Sequence, residues 1–258
     1  MLSSVREAVR PLFRANILTS RMASTNFTVK FNEFGDPMKV LTHEECPMPT
    51  IKETNFVLIR VLASPINPAD INVIQGTYGV KPALPANAGL EGVGVILETG
   101  SGVKILKKDD WVLLPGDNWG TWRQFGVASE KGLRAISNKL DLATACTLSV
   151  NPPTAYRMLK DFVDLSNGET IIQNGANSGV GQAVIQIAKA MGLRTVNIVR
   201  NRPNIDELKQ QLKSIGADYV VTEEELRLPS MKDIFREMPL PRLALNCVGG
   251  TICSDMMR

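Results

Sequence analysis

The sequence predicts an α/β protein in two parts: a β-rich N-terminal half, and a C-terminal half in which strands and helices alternate around a nucleotide site. Three observations carry this. A glycine turn at 175–181 joins an apolar run to a segment with helical spacing. From residue 170 onward strand and helix patterns take turns, which means parallel βαβ units. Before residue 140, short alternating runs are separated by Gly and Pro and helical patterns are scarce, which suggests a small β-barrel or sandwich.

The glycine turn is the most informative stretch. It reads Ile171-Ile172-Gln173-Asn174-Gly175-Ala176-Asn177-Ser178-Gly179-Val180-Gly181-Gln182, and Val184, Ile187, Ala188 and Met191 follow at helical spacing. That is a strand, a tight loop and a helix N-terminus. Bare N–H groups at such a terminus hold a pyrophosphate, and glycine lets the backbone approach it. Glycines at 175, 179 and 181 miss the usual dinucleotide spacing, and similar loops join strands to helices with no ligand present. The next strand sharpens the reading. Arg194 to Val199 is rich in β-branched residues and ends in Arg200-Asn201-Arg202-Pro203. In a dinucleotide fold the tip of this strand, about 20 residues beyond the glycines, meets the adenosine ribose. An acid there would accept from the 2′-hydroxyl of NAD, but no Asp or Glu lies between Ala183 and Asn204. The forks of Arg200 and Arg202 suit the 2′-phosphate of NADP. Taken alone they would read as exposed basic residues at a strand end; with the glycine loop upstream they point to NADP.

The 258 residues accommodate one large domain or two small ones, on a prior of about 150 residues each. A hydrophobic content of 44% with 21% charged residues is ordinary for a soluble globular protein. No uninterrupted apolar stretch approaches the roughly 20 residues of a membrane-spanning helix. Net charge is +3, and Arg6, Arg10, Arg14 and Arg21 against Glu7 alone account for the excess. The remainder is balanced, so nothing suggests a nucleic-acid surface. Met1 to Arg21, rich in Ser and Arg and nearly free of acids, has the composition of a mitochondrial presequence. A helix would gather Arg6, Arg10 and Arg14 on one face, with Val5, Val9 and Leu12 roughly opposite. Pro11 would disturb it unless near its start. A disordered cytosolic tail is the alternative. Composition favours mitochondrial import, with 1–22 as the targeting segment and cleavage near Arg21 to Ser24.

In chain order, strands are expected at Phe27 to Lys30, Phe56 to Leu62, Gly92 to Glu98, Trp111 to Leu114 and Phe125 to Ala128. Gly35-Asp36-Pro37, Pro47-Met48-Pro49 and Pro65 to Pro68 punctuate them. Helical spacing runs from Asp141 to Lys160, and Pro152-Pro153 is expected to break it in two. Strands follow at 170–174, 194–199, 218–221 and 243–247, with helices at 179–191, 204–215 and about 230–237. These are four strands where a full dinucleotide fold has six, and another helix begins at Thr251, so a shortened chain is expected.

Between Gly76 and Gly79, Tyr78 sits on a loop away from any periodic apolar face. Its hydroxyl can donate a proton or hydrogen-bond a developing enolate, although a loop tyrosine without further context is more often an anchor. Asn67 and Asp70 read as residues that cap and brace the same turn. His43 is the only histidine. His43-Glu44-Glu45-Cys46 offers one His and one Cys, short of the three ligands of catalytic zinc or the four of structural zinc. No metal centre is expected, and His43 reads as an exposed loop residue. The missing histidines also remove a serine triad, and no GxSxG elbow is present. Cys46, Cys146, Cys247 and Cys253 form no CxxC pair and read as reduced thiols.

Ala63-Ser64-Pro65-Ile66-Asn67-Pro68-Ala69-Asp70-Ile71-Asn72 resembles the N-terminal signature of zinc-free medium-chain dehydrogenases/reductases. Gln75 to Gly79, Ser149 to Met158, Gln173 to Gln182, Arg200 to Pro203 and Leu245 to Gly250 narrow the resemblance to the mitochondrial trans-2-enoyl-thioester reductases of fatty acid synthesis. It covers essentially everything after the leader. The resemblance implies an α/β architecture: a GroES-like β-barrel catalytic domain over 23–145, and an incomplete Rossmann domain, a doubly wound parallel sheet, over 146–258 that binds NADPH. It further implies Tyr78 as proton donor, Asn151 near the nicotinamide, Asn177, Ser178, Gly179 and Val180 along the pyrophosphate, and Arg200, Asn201 and Arg202 at the 2′-phosphate. The substrate would be a 2-enoyl-CoA or enoyl-acyl-carrier-protein in the mitochondrial matrix, and a homodimer is consistent with the family. Members of the family continue past residue 258, so a fragment or short isoform of low stability and weak activity is expected. A quinone reductase of the same superfamily and a non-catalytic truncated isoform are the alternatives.

Overall fold

Side-chain alternation in β1 (Thr25–Phe31), with Asn26, Thr28 and Phe31 buried, starts the first of three sheets. The computed structural model describes residues 25–116 and 118–257, so the predicted targeting segment lies outside the described residues. The chain divides into two compact units, one ending at Cys146 and the other beginning at Thr147.

In the first unit β1 pairs antiparallel with β2 (Leu41–Pro47) along its whole length and with the short β4 (Ala86–Asn87). The second sheet comprises β3 (Phe56–Ala63), β5 (Val93–Thr99), β6 (Trp111–Leu113), β7 (Phe125–Ser129) and β8 (Arg134–Ile136) in the order β7-β3-β5-β6-β8, antiparallel throughout. Val57 and Ile59, two apart and so on one face, pack with Ile96, Val112 and Leu114 in its core. Two expectations change here. His43 is exposed, but it lies on β2, where its ring stacks on Phe27 at 5.1 Å. Helix is less scarce than its pattern suggests. Besides the short α1 (Pro37–Val40), α2 (Pro68–Gln75) begins at a proline and is closed by Gly76. Asn67 and Asp70, expected to cap and brace a turn, form the capping box of this helix. The unit ends with α3 (Leu142–Cys146).

The second unit opens with α4 (Asn151–Lys160). Pro152 and Pro153 do not break a helix. They lie in its first turn, where a missing N–H costs nothing, and the interruption falls at 147–150. Then β9 (Thr170–Asn174), β10 (Arg194–Val199), β11 (Tyr219–Thr222) and β12 (Pro241–Leu245) form a parallel sheet in the order β11-β10-β9-β12. Helices α5 (Gly179–Ala190), α6 (Ile205–Ser214), α7 (Met231–Glu237) and α8 (Thr251–Met256) connect or follow the strands. The inner strands β9 and β10 are buried almost throughout, whereas β12 alternates buried and exposed residues. Ile171 packs with Leu159 of α4 and Val184 and Ala188 of α5. Its neighbour Ile172 points the other way, to a cluster with Met231 of α7 and Ile252 of α8. Among the described residues no helix is long and apolar enough to cross a membrane.

Leu212 is the buried residue of α6, packed against Ala176, Ile185, Val199 and Val220. Leu212→Ala is expected to cost about 2–5 kcal/mol, the transfer of the side chain plus the cavity left behind, read as a lower urea midpoint for the second unit.

Candidate functional site

The chain steps from β9 to β10 to β11 on one side, then returns to place β12 on the other side of β9. Strand order therefore reverses between β9 and β12, and the crevice outside their carboxyl ends is where open α/β sheets take ligands. Gly175 turns the chain out of β9 with φ +62°, a left-handed conformation that glycine adopts at no steric cost. Ser178 then caps α5, its side chain accepting from the Gly181 N–H at 3.1 Å. A Cβ on Gly181 would lie 2.6 Å from the Gly175 carbonyl oxygen and 2.7 Å from the Ala176 Cα. Only glycine lets the helix approach the loop this closely. The Asn177 carbonyl accepts from Gln182 Nε2 at 3.0 Å, and a Cβ on Gly179 would lie 2.9 Å from Asn151 Nδ2. So Asn151, Asn177, Ser178, Gly179 and Val180 gather at one helix N-terminus.

Arg200, Asn201 and Arg202 follow directly from the tip of β10. Arg200 and Asn201 are exposed, and half-buried Arg202 donates from Nε to the Arg200 carbonyl at 3.4 Å. Among the described residues neither guanidinium pairs with a carboxylate. Two cations without carboxylate partners at the tip of the strand next to β9 have the charge and fork geometry that suit a multiply charged anion.

Sequence reasoning missed the polar side chains beneath this surface. Gln173 is 2% exposed; its Nε2 donates to the Gly181 carbonyl at 3.0 Å and to Asn197 Oδ1 at 2.8 Å. Asn197 in turn donates to Thr195 Oγ1 at 2.8 Å and to the Tyr219 carbonyl at 3.0 Å. The Thr195 N–H donates to Asp218 at 2.8 Å. This chain crosses from the first turn of α5 through β9 and β10 to the start of β11. The available signal was Gln173 and Asn197 interrupting apolar strands, since a buried polar group must find a partner.

Tyr78 belongs to the first unit. Asp70, 1% exposed, accepts from the Asn67 N–H at 2.6 Å and the Leu90 N–H at 2.8 Å. Asn67 Nδ2 donates to fully buried Glu91 at 2.9 Å. Burial raises the Asp70 carboxyl above its ordinary range, and the nearby Glu91 charge adds to it. At the other end of α2, the N–H groups of Thr77 and Tyr78 donate to the Asn72 carbonyl at 2.9 and 3.1 Å. The tyrosine, 42% exposed, thus presents its hydroxyl from a loop hung on an anchored helix. Among the described residues no cluster of three or more His, Cys, Asp or Glu is placed to hold a metal ion.

Residues 53–134 match the alcohol dehydrogenase GroES-like domain. The enoyl-[acyl-carrier-protein] reductase, mitochondrial, of Rattus norvegicus is 52% identical over 228 residues, which are 88% of this chain and 61% of that protein. The chain thus spans about three fifths of the length of the curated relatives it matches. Among solved structures, the mitochondrial 2-enoyl thioester reductase Etr1p/Etr2p heterodimer of Candida tropicalis superposes with a TM-score of 0.84 at 34% identity, over 90% of this chain and 71% of that one. The complex of Etr1p with NADP and crotonyl-CoA gives 0.84 at 33% identity with the same coverage. The Escherichia coli quinone oxidoreductase complexed with NADPH, at 23% identity and a TM-score of 0.76 over 90% of this chain and 69% of that one, shares the fold.

The tight approach at Gly181 gives a test of the loop. Gly181→Ala is expected to destabilise the second unit by about 1–3 kcal/mol, because the added methyl meets fixed backbone. Gly132→Ala, whose Cβ would meet Pro115 at 3.9 Å, should stay within about 0.5 kcal/mol; thermal melts of both variants check the contrast.

Proposed function

The chain belongs to the family of mitochondrial enoyl-[acyl-carrier-protein] reductases, and from that premise we propose that it reduces 2-enoyl thioesters with NADPH in the mitochondrial matrix. The observation that carries the reading is the capped helix N-terminus at the β9–β12 switch point, with Arg200 and Arg202 at the tip of the neighbouring strand. The residues fit the group. Gly179 and Gly181 leave no room for side chains, so backbone can meet a pyrophosphate, and the paired guanidiniums match a 2′-phosphate in charge and fork geometry.

When bound, NADPH supplies the hydride that reduces the β-carbon of the enoyl thioester. The chain does the rest. Arg200, Asn201 and Arg202 hold the 2′-phosphate and select against NADH. Asn177, Ser178, Gly179 and Val180 line the pyrophosphate, with Asn151 on the nicotinamide side. As the β-carbon is reduced, negative charge collects on the thioester oxygen. The Tyr78 hydroxyl stabilises that charge and assists protonation of the α-carbon. The substrate is a 2-enoyl-CoA or enoyl-acyl-carrier-protein, and a second copy of this chain is a proposed partner. A quinone-reductase reading rests on likeness of fold.

Titration of the full chain with NADPH, with NADH as control, tests the cofactor assignment. Binding selective for NADPH is expected. Arg200→Ala or Arg202→Ala should weaken NADPH by about tenfold or more, the loss of hydrogen bonds to a charged group, and leave NADH unchanged. Absence of NADPH binding by a folded chain overturns the proposal. In a crotonyl-CoA assay, Tyr78→Phe should lower kcat by about 10²–10⁴-fold with NADPH affinity unchanged.

A further inference from the structure

The ladder between β12 and β9 ends at Leu245 opposite Gln173. One residue further, where Asn246 would face Asn174, a side chain takes over from the backbone. Asn174, 2% exposed, donates from Nδ2 to Asn246 Oδ1 at 2.7 Å. Its Oδ1 accepts from the N–H groups of Cys247 at 2.6 Å and Val248 at 3.1 Å. Asn246 Oδ1 also accepts from the Gly249 N–H at 2.9 Å. The buried Asn174 carboxamide therefore holds the turn at 246–248, and Asn246 extends the hold to Gly249. That turn lies against the glycine loop: a Cβ on Gly175 would sit 3.3 Å from Val248 Cγ2 and 3.4 Å from Cys247 Cβ.

We propose that Asn174 is a positioning residue for the bound dinucleotide, fixing the 246–249 turn as the part of the crevice wall that continues from the glycine loop towards β12. The inference rests on reading the crevice as the NADPH site. Its geometry makes a specific demand. The 2′-phosphate end belongs to Arg200 and Arg202 at the tip of β10, which flanks β9 on one side; the held turn follows β12, which flanks it on the other. A dinucleotide lying across the switch point has its adenosine half over the first and its nicotinamide half towards the second. Asn174 therefore acts on the nicotinamide half and leaves the adenosine half alone.

The chemistry of the contact makes Asn174→Asp the sharp variant. Aspartate keeps the shape and the acceptor for Cys247 and Val248, but it has no N–H for Asn246. Asn246 cannot turn its amide to compensate, because its oxygen already serves Gly249. The test is binding to the full-chain protein of two probes, NADPH and 2′,5′-ADP, the second carrying only the adenosine half with its 2′-phosphate. Asn174→Asp is expected to weaken NADPH about tenfold, the scale of one hydrogen bond lost, and to leave 2′,5′-ADP unchanged. Asn246→Ala, at an exposed position, removes the same contact from the other side and should give the same split. Equal weakening of both probes in folded variants, or no weakening of either, overturns the positioning role while the NADPH reading stands. A wild-type chain that binds 2′,5′-ADP but not NADPH, or neither, overturns both.

Discussion

At the carboxyl end of β9 two neighbouring carboxamides, Gln173 and Asn174, are each 2% exposed. Leaving either unpaired there would cost about 1–3 kcal/mol. Adjacent strand residues point to opposite faces, so the two reach in opposite directions. Gln173 takes the first turn of α5 and Asn197 of β10, and Asn174 takes the turn after β12. From Asn197 the bonds continue through Thr195 to Asp218 at the start of β11. Four strands and a helix terminus are thereby tied to one register. An apolar sheet core tolerates small slides, because a methyl group has no direction. A carboxamide does, so a slip of one residue would strand several buried donors and acceptors at once.

The first unit uses the same device with carboxylates. Asp70 and Glu91 are both buried and joined through Asn67, which gives its backbone N–H to one and its side-chain amide to the other. Burial raises Asp70, consistent with two acids sharing a site with little water. The arrangement fixes the N-terminal end of α2, and Gly76 closes its C-terminal end two residues before Tyr78. A loop that offers Tyr78 as the proposed proton donor needs access, and access brings mobility. Anchoring the helix that carries it confines the mobility to a few residues.

What could be read from the sequence follows from which residues carry a local signature. The strand, loop and helix over 170–191 were legible because Ile171 and Ile172 lead into a turn that demands glycine and the apolar residues beyond it recur at helical spacing. The place of Arg200 and Arg202 was legible because they follow directly from a strand rich in β-branched residues. By contrast β2, Leu-Thr-His-Glu-Glu-Cys-Pro, has no apolar alternation and owes its form to pairing along all of β1. The α2 helix was hidden by its eight-residue length and by Pro65 and Pro68, the second of which begins it. Pro152 and Pro153 misled in the same way, since a proline read as a breaker also suits a first turn. Asn174 and Asn246 were illegible for another reason. The two residues are 72 positions apart, and a carboxamide has no spacing rule that would announce the pair.

The two ends of the proposed dinucleotide site are held by different physics. At the tip of β10 the groups are exposed Arg200 and half-buried Arg202, long side chains that would lose rotamer freedom on closing around a phosphate. They select by charge and tolerate some imprecision in where that charge lies. Between β9 and β12 the groups are short carboxamides locked in place before any ligand arrives, so little ordering remains at binding. Hydride transfer needs reacting atoms in near-contact geometry, whereas discrimination of a 2′-phosphate needs only a strong local field. The chain places its rigid, buried polar contacts beside β12 and its flexible cations beyond β10. On the proposed reading, choice of cofactor and aim of the cofactor fall to separate residues.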